Sequence, residues 1–420
     1  MNVTKKTVTD KSMKTLNQTM TFILAGGAGS RLSPLTSNRS KPSVPFGGSY
    51  RIIDFTLTNC LHSGLHKILV LTQYKSHSLN KHLRDGWSIF NPELGTYITP
   101  VPAQMNSGDD WYKGTADAIY QNLNLLERSN SQYVLILSGD HIYRMDYAAM
   151  LESHLKTAAD VTIACMEVPV EDAKAFGVVV TKEDGQIIAF EEKPQAPTTL
   201  PNNPDKALAS MGLYIFSAEL LTEVLRDDHI NNDSGHDFGK DILPLLIEDK
   251  NVKAYTFGDT QGRVSQDRYW RDVGTIDAYY QANMDLLEPL PQLDIYQKDW
   301  TIRSYQPQSP PARTTSGNSG SDGSLVNSIL ASGVVISGGH VRHSILFQNI
   351  HIEDNAVIAN SIIFGDVHVG AGAMLRNCIV DKNVKIPDGE RIGYDEAQDR
   401  KRFTISEHGI VVVPKDYVFT

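Results

Sequence analysis

The sequence predicts an α/β domain followed by a three-sided parallel β-helix. Between residues 20 and 290, short aliphatic and β-branched runs alternate with helical patterns. In the C-terminal part, aliphatic residues recur at intervals of 17. A segment rich in proline, glycine and serine separates the two patterns. We therefore predict a mobile N-terminal tail, an α/β domain, a connecting segment with a linker, and a β-helix domain, with the bounds 1–19, 20–290, 291–324 and 325–420.

Composition and charge exclude several classes of protein. The chain has 420 residues and a net charge of −10, which argues against bulk nucleic-acid binding. It has no apolar run long enough to cross a bilayer, and its first twenty residues lack the apolar core of a secretory signal. Cys60, Cys165 and Cys378 are far apart, so neither a disulfide framework nor a zinc site is indicated. We expect a cytoplasmic protein without nucleic-acid or membrane partners.

The α/β domain is expected to contain a mostly parallel sheet covered on both faces. The predicted strands are Phe22–Leu24, Ile68–Thr72, Tyr133–Leu137, Val161–Cys165 and Leu213–Phe216. The predicted helices are Asp54–Ser63, Thr115–Arg128 and Tyr147–Ala158. A hairpin is predicted from Phe176 to Glu191, with Asp184 and Gly185 at its turn. Ligands of such sheets bind beyond the carboxyl ends of the strands, so the residues that follow each strand are the candidates for a site.

A glycine-rich loop follows the first predicted strand. Gly26, Gly27 and Gly29 let backbone N–H groups approach a phosphate without obstruction by a Cβ. Arg31 and Lys41 then supply a forked donor and a point charge, both suited to a polyphosphate. The loop matches neither the Walker A motif nor the dinucleotide fingerprint. An ordinary turn is the alternative, and the two cations favour a nucleotide-phosphate loop.

Two aspartates are candidates for a Mg²⁺ site. Asp140 follows a buried strand, and Asp272 precedes Gly274 in a second polar segment. Carboxylates near a phosphate loop are suited to hold Mg²⁺ against phosphate. The alternatives are that Asp140 caps a helix or turn and that Asp272 is an ordinary turn residue.

Two further segments carry candidate ligand contacts. In Glu191–Pro194, the proline is expected to hold Lys193 extended and aim its ammonium at an anion, although such charge runs are often only solvated. In Trp111–Ala118, two aromatic residues can stack on a base or a sugar, or can simply accompany a capped helix.

The repeat predicts the β-helix. Its three inward columns are Val335, Ile352, Val369 and Ile386; Val341, Ile358, Leu375 and Ile392; and Leu346, Ile363 and Val380. Steps of six, five and six residues within each coil are typical of hexapeptide β-helices. Four histidines lie within the repeat and are expected on the outer faces of the coils, with acyl transfer as the alternative: His340, His343, His351 and His368. The apolar Leu293–Tyr305 is expected to pack across both domains.

These motifs resemble those of the bacterial glucose-1-phosphate adenylyltransferases, which are sugar-1-phosphate nucleotidyltransferases. The resemblance covers nearly the whole chain and rests on the loop Gly26–Thr36 with Lys41–Pro42, and on Ser43–Asn59, Trp111–Ala118, Ser138–Tyr143, Phe176–Val178, Glu191–Pro194, Ser210–Gly212, His236–Lys240 and Tyr269–Thr275. It implies Mg²⁺-dependent synthesis of ADP-glucose from ATP and glucose 1-phosphate for glycogen synthesis. It also implies a Rossmann-like nucleotidyltransferase domain, a left-handed parallel β-helix of hexapeptide type, and a homotetramer regulated by phosphorylated metabolites.

The resemblance further implies roles for individual residues. Arg31, Lys41 and Asp140 are expected to be catalytic, and Asp140 and Asp272 to hold Mg²⁺. The expected nucleotide contacts are Gly26, Gly27, Gly29, Gln73, Gln104 and Gly114. The expected contacts of the second substrate are Tyr112, Gly177, Glu192, Lys193, Ser210, Asp237 and Trp270.

One departure from the family pattern concerns regulation. Enteric members carry a lysine and a histidine where this chain has Asn38 and Pro45. Arg39, Arg51 and Lys382 remain as candidate donors to an allosteric anion. We therefore expect an activator other than fructose 1,6-bisphosphate, or weak activation.

Three other functions stay open at this stage. A sister enzyme would use another nucleotide or sugar 1-phosphate, although Trp111–Ala118 and His236–Lys240 favour ADP-glucose. A non-catalytic regulatory subunit would be expected to lack the metal acids or the phosphate cations, which are all present here. A fused acyltransferase would need a histidine–lysine acceptor site that the C-terminal domain does not offer.

Overall fold

A computed structural model describes residues 10–104, 111–258 and 268–420. It has an α/β domain followed by a β-helix, in the predicted order. None of the helices in this described part of the chain combines the length and the apolar character needed to cross a bilayer.

The α/β domain contains thirteen strands and ten α-helices within the described residues. The strands are β1 (Thr19–Ala25), β2 (Pro45–Phe46), β3 (Tyr50–Arg51), β4 (Lys67–Thr72), β5 (Tyr97–Pro102), β6 (Tyr133–Ser138), β7 (His141–Tyr143), β8 (Val161–Pro169), β9 (Gly177–Thr181), β10 (Ile187–Glu192), β11 (Lys206–Ser217), β12 (Val252–Thr256) and β13 (Trp270–Asp272). The helices are α1 (Asp10–Asn17), α2 (Ile52–Ser63), α3 (His77–Trp87), α4 (Thr115–Tyr120), α5 (Leu123–Ser129), α6 (Tyr147–Lys156), α7 (Val170–Ala173), α8 (Ala218–Ile230), α9 (Leu243–Asp249) and α10 (Ile276–Met284).

The central sheet is mixed, whereas the sequence predicted a mostly parallel one. Its strands follow the order β10-β9-β11-β6-β1-β4-β5, and β8 pairs with β11 and β12. The neighbouring strands β6, β1, β4 and β5 are parallel to one another. Strand β11, in contrast, runs antiparallel to β6, β8 and β9. No helix separates β9, β10 and β11 in the chain, and strands joined without a crossover helix pair antiparallel.

The predicted helix Thr115–Arg128 is in fact two helices, α4 and α5. Asn122 interrupts it with a backbone φ of −116° and ψ of 14°. Its Nδ2 donates to the carbonyl oxygen of Ala118 at 2.8 Å and to the Tyr112 hydroxyl at 3.0 Å. The side chain of Asn122 therefore binds the backbone of the preceding turn at the break in the helix.

The C-terminal domain is a stack of short parallel strands. Its elements are β14 (Arg313–Thr315), β15 (Ser324–Val326), β16 (Ile329–Leu330), β17 (Val335–Ser337), β18 (His340–Arg342), β19 (Ile345–Leu346), β20 (His351–Ile352), β21 (Val357–Ala359), β22 (Ile362–Ile363), β23 (His368–Val369), β24 (Met374–Arg376), β25 (Cys378–Val380), β26 (Lys385–Ile386), β27 (Arg391–Ile392), α11 (Glu396–Arg402), β28 (Thr404–Ile405) and β29 (Val411–Val413). They form three ladders, β14-β17-β20-β23-β26, β15-β18-β21-β24-β27 and β16-β19-β22-β25-β29-β28, which are the three sides of the predicted β-helix.

One member of the predicted inward columns is wrong. Ile336, and not Val335, pairs with Ile352 and is buried, because β17 and β20, in the second and third coils, are offset by 16 residues. The later pairs, such as Ile352 with Val369, keep the spacing of 17. A one-residue offset reverses which side chains face inward, so Val335 takes the outer position.

Regular structure occurs in both the predicted N-terminal tail and the predicted linker. Helix α1 lies in the predicted tail and places Leu16 in a core cluster with residues of β1 and β4. Strand β14 lies in the predicted linker and already pairs with β17, so the first coil begins at Arg313. A short apolar contribution to an existing core or ladder is enough to order such segments.

The two domains share one core cluster. Val44 and Phe46 of the α/β domain belong to the same cluster of buried apolar residues as Leu346 and Phe364 of the β-helix. Polar contacts cross the same boundary, since the Tyr280 hydroxyl donates to the carbonyl oxygen of Asn360 at 2.7 Å. The shared core fixes the β-helix against the α/β domain.

The connecting segment packs as its apolar content predicted. Leu293 and Ile302 belong to the cluster that both domains share. Trp300 Nε1 donates to Asn59 Oδ1 at 3.0 Å, and the Ser304 hydroxyl donates to Asp54 at 2.6 Å. The segment therefore lies along α2.

Candidate active site

A cavity of about 740 Å³ opens at the carboxyl ends of β1, β4 and β6. This is the edge at which parallel sheets bind their ligands. The predicted site residues that line it are Gly26, Gly27, Gly29, Arg31, Lys41, Gln73, Tyr112, Gly114, Asp140, Gly177, Glu192, Lys193, Ser210, Asp237, Trp270 and Asp272.

The glycine loop forms the wall next to β1. Gly29 has a φ of 63°, and a Cβ there would lie 3.1 Å from Thr36 Cγ2 and 3.2 Å from Lys41 Cβ. The Thr36 hydroxyl donates to the carbonyl oxygen of Gly29 at 2.8 Å and holds this turn closed. A Cβ on Gly27 would meet nothing within 4 Å, so the loop leaves open space at Gly27 for a ligand.

Lys41 joins the two candidate metal acids. Its Nζ lies 2.9 Å from Asp140 Oδ2 and 2.7 Å from Asp272 Oδ1. Asp140 ends the turn after β6, and Asp272 is brought beside it because β13 pairs antiparallel with β7, placing Asp272 opposite His141. Asp140, His141 and Asp272 offer ligand atoms that lie within 4.8 Å of one another. The two acids therefore meet across the cavity floor, and Asp140 is not a helix cap.

Electrostatics favour the charged forms of Asp140 and Lys41. Burial is the largest single influence on Asp140 and opposes its charged form, but Lys41, His141 and Ser138 together lower the pKa of that carboxyl well below its usual range. Burial likewise works against the charge on Lys41, and attraction to the two aspartates outweighs it and raises the lysine's pKa. Burial lowers the pKa of His141, so its imidazole is neutral at neutral pH.

The wall opposite the glycine loop depends on a close approach between two of the predicted motifs, Trp111–Ala118 and His236–Lys240. The Thr115 hydroxyl donates to Asp237 Oδ2 at 3.1 Å and accepts from the Phe238 N–H at 3.0 Å. Asp237 Oδ1 accepts from the backbone N–H groups of Gly239 and Lys240. A Cβ on Gly114 would lie only 2.1 Å from the carbonyl oxygen of His236. Gly114 is therefore required by this backbone contact.

We predict that Gly114→Ala destabilises the protein by about 1–3 kcal/mol, because the backbone at His236 must move to admit the methyl group. Thermal unfolding measures the effect, and we expect a lower Tm together with a loss of activity. Gly27→Ala is the matched control, since its Cβ would enter open space. Equal Tm values for the two variants would contradict the prediction.

Lys193 does not have the predicted extended backbone. Its φ is 48°, and its N–H donates to the carbonyl oxygen of Phe176 at 3.1 Å. This bond closes the end of the β9–β10 hairpin. The backbone of Lys193 there lies in the left-handed region, which residues other than glycine rarely adopt. Its ammonium forms an ion pair with Glu192, and 62% of the Lys193 side chain is exposed. The ammonium is therefore accessible to an anion in the cavity.

Ser210 is presented by an irregular strand. The pairing of β11 with β8 shifts register between Ser210 and Tyr214, and Gly212 has a φ of 69°. The Gly212 N–H donates to Ser210 Oγ at 3.2 Å. A bulge of this kind re-aims side chains, here at the cavity.

Among the predicted substrate, nucleotide and metal residues, Gln104 is the one that the described lining of the cavity does not include. It is exposed two residues after β5, the edge strand, where the chain leaves the sheet.

The lining also includes residues that were not predicted: His141, Thr115, Phe176 and Tyr214. His141 and Thr115 lie directly beside predicted residues in the sequence, which was the available signal.

The three candidate allosteric cations lie near the domain boundary. Arg39 Nη2 is 2.9 Å from Asp381 Oδ1 of the β-helix, and both side chains are buried. Arg39 Nη1 is buried without a hydrogen-bond partner among the described residues. Arg51 Nη1 donates to Ser78, and burial together with Arg51 and Arg39 lowers the pKa of Lys382 to about 8. The cations are thus close enough to influence one another.

Comparison with known proteins places the chain in a family. A model described as nucleotidyl transferase matches residues 20–289, and one described as the GlmU-like C-terminal hexapeptide matches residues 310–413.

Curated relatives match over nearly the full length. The chain is 62% identical over 404 residues to glucose-1-phosphate adenylyltransferase 2 of Vibrio parahaemolyticus, covering 96% of this chain and 100% of that protein. It is 64% identical over 400 residues to glucose-1-phosphate adenylyltransferase 2 of Vibrio vulnificus strain YJ016, covering 95% and 99%. It is 47% identical over 401 residues to glucose-1-phosphate adenylyltransferase of Paramagnetospirillum magneticum, covering 95% and 94%. The chain therefore belongs to the nucleotidyl transferase family and, within it, to the glucose-1-phosphate adenylyltransferases.

Proposed function

We propose that the chain transfers the adenylyl group of ATP to glucose 1-phosphate at this cavity, forming ADP-glucose and pyrophosphate. The observation that carries the proposal is the convergence of Asp140, Asp272 and Lys41 at the open glycine loop. A phosphate oxygen of glucose 1-phosphate is already ionised at neutral pH, so its attack on the α-phosphorus of ATP requires no general base. Catalysis then consists of positioning and of neutralising charge on the phosphates.

The cations would share the phosphate charge. Arg31 lines the same cavity as Lys41, and a side chain at Gly274 would meet both Arg31 Nη2 and Asp272 Oδ2, at 3.2 and 3.0 Å. Arg31 is thus close to the acids and would act on the ATP phosphates and the leaving pyrophosphate. Lys41 stays protonated because its pKa is raised, which suits a fixed donor to the same phosphates.

The two carboxylates fit a divalent cation. Ionised oxygen ligands are what Mg²⁺ prefers, and the depressed pKa of Asp140 keeps its oxygens available at neutral pH. Asp140 and Asp272 would hold the ion, which when bound would neutralise charge on the phosphates of ATP. Lys41 bridges the same two carboxylates, so this pair of acids already accommodates a positive charge between its oxygens.

Glucose 1-phosphate would lie against the β9–β10 hairpin and against His236–Lys240, the motif that follows α8. Lys193 would bind the phosphate of glucose 1-phosphate. A Cβ on Gly177 would lie 3.2 Å from Glu192 Oε2, and one on Gly239 would lie 2.8 Å from it, so the Glu192 carboxylate sits between these two backbones. Glu192 would accept hydrogen bonds from sugar hydroxyls, and the remaining predicted sugar contacts are Tyr112, Gly177, Ser210, Asp237 and Trp270.

The test is pyrophosphate release by the full chain with Mg²⁺, glucose 1-phosphate and each nucleoside triphosphate in turn. We expect release with ATP. A preference for UTP or GTP would assign the protein to a sister specificity, and no release with any triphosphate would favour a regulatory subunit. Each condition is repeated with fructose 1,6-bisphosphate, fructose 6-phosphate, pyruvate and AMP.

We infer that Arg39, Arg51 and Lys382 bind a phosphorylated effector. The unpartnered Nη1 of Arg39 and the mutual repulsion of the three cations both support an anion as their missing partner. Arg39 also holds Asp381 of the β-helix, so an anion there would act on the boundary between the domains. Asn38 is exposed and Pro45 is buried, and neither carries a charge for such a ligand.

We predict that the apparent affinity for the activating phosphate ester falls about tenfold from about pH 7 to about pH 9, because Lys382, with a pKa of about 8, loses its charge across this interval. The sign follows because the anion binds the protonated lysine, which is abundant only below that pKa. The ester itself stays a dianion over this range. Activation curves at several pH values measure the effect, with Lys382→Arg as the control that keeps its charge. An equally steep pH dependence in Lys382→Arg would refute the assignment.

We also propose a cytoplasmic homotetramer. Cys60, Cys165 and Cys378 are all unpaired and buried, which is compatible with a reducing compartment. The first coil of the β-helix leaves Leu325 and Val326 exposed, as an end that meets another subunit would. Light scattering of the purified chain tests the oligomer, and a monomer in solution would contradict it.

A further inference from the structure

Two histidines lie one above the other, in successive coils, on the outside of the β-helix and away from the cavity. His351 of β20 and His368 of β23 are direct partners in a parallel ladder. Their neighbours Ile352 and Val369 are fully buried, so the alternation of the strands directs both imidazoles outward. The centroids of the two rings are 5.4 Å apart. The coil repeat alone therefore brings one imidazole above the other.

A carboxylate lies between the two rings. Glu353 Oε1 is 3.7 Å from His351 Nε2 and also 3.7 Å from His368 Nε2. Both distances are too long for hydrogen bonds. The three side chains are partly exposed, at 48% for His351, 43% for His368 and 32% for Glu353. The cluster is therefore open to an ion from solvent.

The spacing matches the edges of a tetrahedral metal site. Zinc binds imidazole nitrogen and carboxylate oxygen at about 2.0–2.2 Å, so two ligands of a tetrahedral ion are about 3.3–3.5 Å apart. The two nitrogen-to-oxygen separations are 3.7 Å and all three ligand atoms lie within 4.8 Å of one another, so rotation of these exposed side chains can bring them to that value. Two histidines and one glutamate are also a ligand set that zinc uses with a fourth, open position.

Among the described residues, the neighbours along this ladder add no further ligand. The ladder continues to Lys385 beyond His368 and to Val335 on the other side of His351, and neither side chain is suited to bind the ion. Lys385 is exposed, so its ammonium can remain in water and away from a cation. Imidazole ligands favour zinc, nickel and copper, whereas Mg²⁺ prefers oxygen alone.

We propose that His351, Glu353 and His368 form a binding site for a divalent transition-metal ion of the zinc class, distinct from the catalytic acids. The ion would link β20 to β23 and so join two successive coils of the β-helix. The sequence predicted these histidines on an outer face, with acyl transfer as the alternative, and no role in the adenylyl transfer depends on them.

The experiment is zinc titration of the full chain, free of any affinity tag, followed by calorimetry and by thermal unfolding. Excess Mg²⁺ is present throughout, and zinc that binds Asp140, His141 and Asp272 contributes equally to every variant and cancels in the comparison. The variants are His368→Gln, Glu353→Gln and, as the matched control, His340→Gln. His340 lies on another side of the β-helix, and its ring Nδ1 is hydrogen-bonded to the Ser324 hydroxyl at 3.0 Å.

We expect one zinc equivalent per chain that raises the Tm of the parent protein and of His340→Gln. In His368→Gln and Glu353→Gln this equivalent should bind at least about tenfold more weakly, and the zinc-dependent rise in Tm should be smaller than in the parent protein and in His340→Gln. Each variant should keep the Tm and the activity of the parent without zinc, which shows that it is folded. Unchanged zinc affinity in His368→Gln and Glu353→Gln, or no such equivalent in the parent protein, would overturn the proposal.

Discussion

Asp140→Asn is expected to reduce kcat at least about 100-fold at saturating ATP and glucose 1-phosphate. The substitution removes one of the two anionic ligands that would hold Mg²⁺, while Lys41 keeps its contact of 2.7 Å with Asp272. Because that ion pair survives, the loss should come from the site and not from unfolding. Pyrophosphate release over a range of Mg²⁺ concentrations measures the effect.

The control for this prediction is Asp184→Asn. Asp184 lies at the turn of the β9–β10 hairpin, pairs with Lys253 at 2.9 Å and does not line the cavity. We expect its turnover to equal that of the parent protein. Turnover of Asp140→Asn within about threefold of the parent would refute the metal role of this carboxylate.

Lys193→Gln is expected to raise the KM for glucose 1-phosphate by about 10- to 100-fold and to lower kcat far less. The substitution removes a hydrogen bond between the Lys193 ammonium and the sugar phosphate. That hydrogen bond would stabilise the bound substrate and the transition state equally. The exposed ammonium can leave its ion pair with Glu192 to meet the sugar phosphate, which glutamine cannot replace in charge. Initial rates at saturating ATP over a range of glucose 1-phosphate concentrations measure both constants.

Lys174→Gln is the matched control for Lys193→Gln. Lys174 is an exposed lysine of the same domain that pairs with Glu171 and does not line the cavity. Its KM should equal that of the parent protein. The assignment of Lys193 to the sugar phosphate would be wrong if Lys193→Gln had the KM of Lys174→Gln.

The sequence by itself determined the two-domain architecture, and all but one of the predicted substrate, nucleotide and metal residues line the cavity. Strand β1 and the glycine loop are local in the chain, and their apolar run and glycines already specify a buried strand followed by an open turn. The interval of 17 residues specified the β-helix because each coil must bury one aliphatic residue on each side. Such features depend on neighbours in the sequence, so they can be predicted without coordinates.

Only the tertiary structure decided which distant residues meet. Lys41 and Asp272 are 231 positions apart, and Arg39 and Asp381 are 342 positions apart, so no local pattern links them. The antiparallel direction of β11, the left-handed backbone of Lys193 and the 16-residue offset between β17 and β20 likewise follow from strand pairing. The carboxylate between His351 and His368 is a further case, since the repeat predicted the stacked histidines as an outer face but not the position of Glu353. Contacts between distant segments depend on how whole elements pack, and that information is absent from any single stretch of the chain.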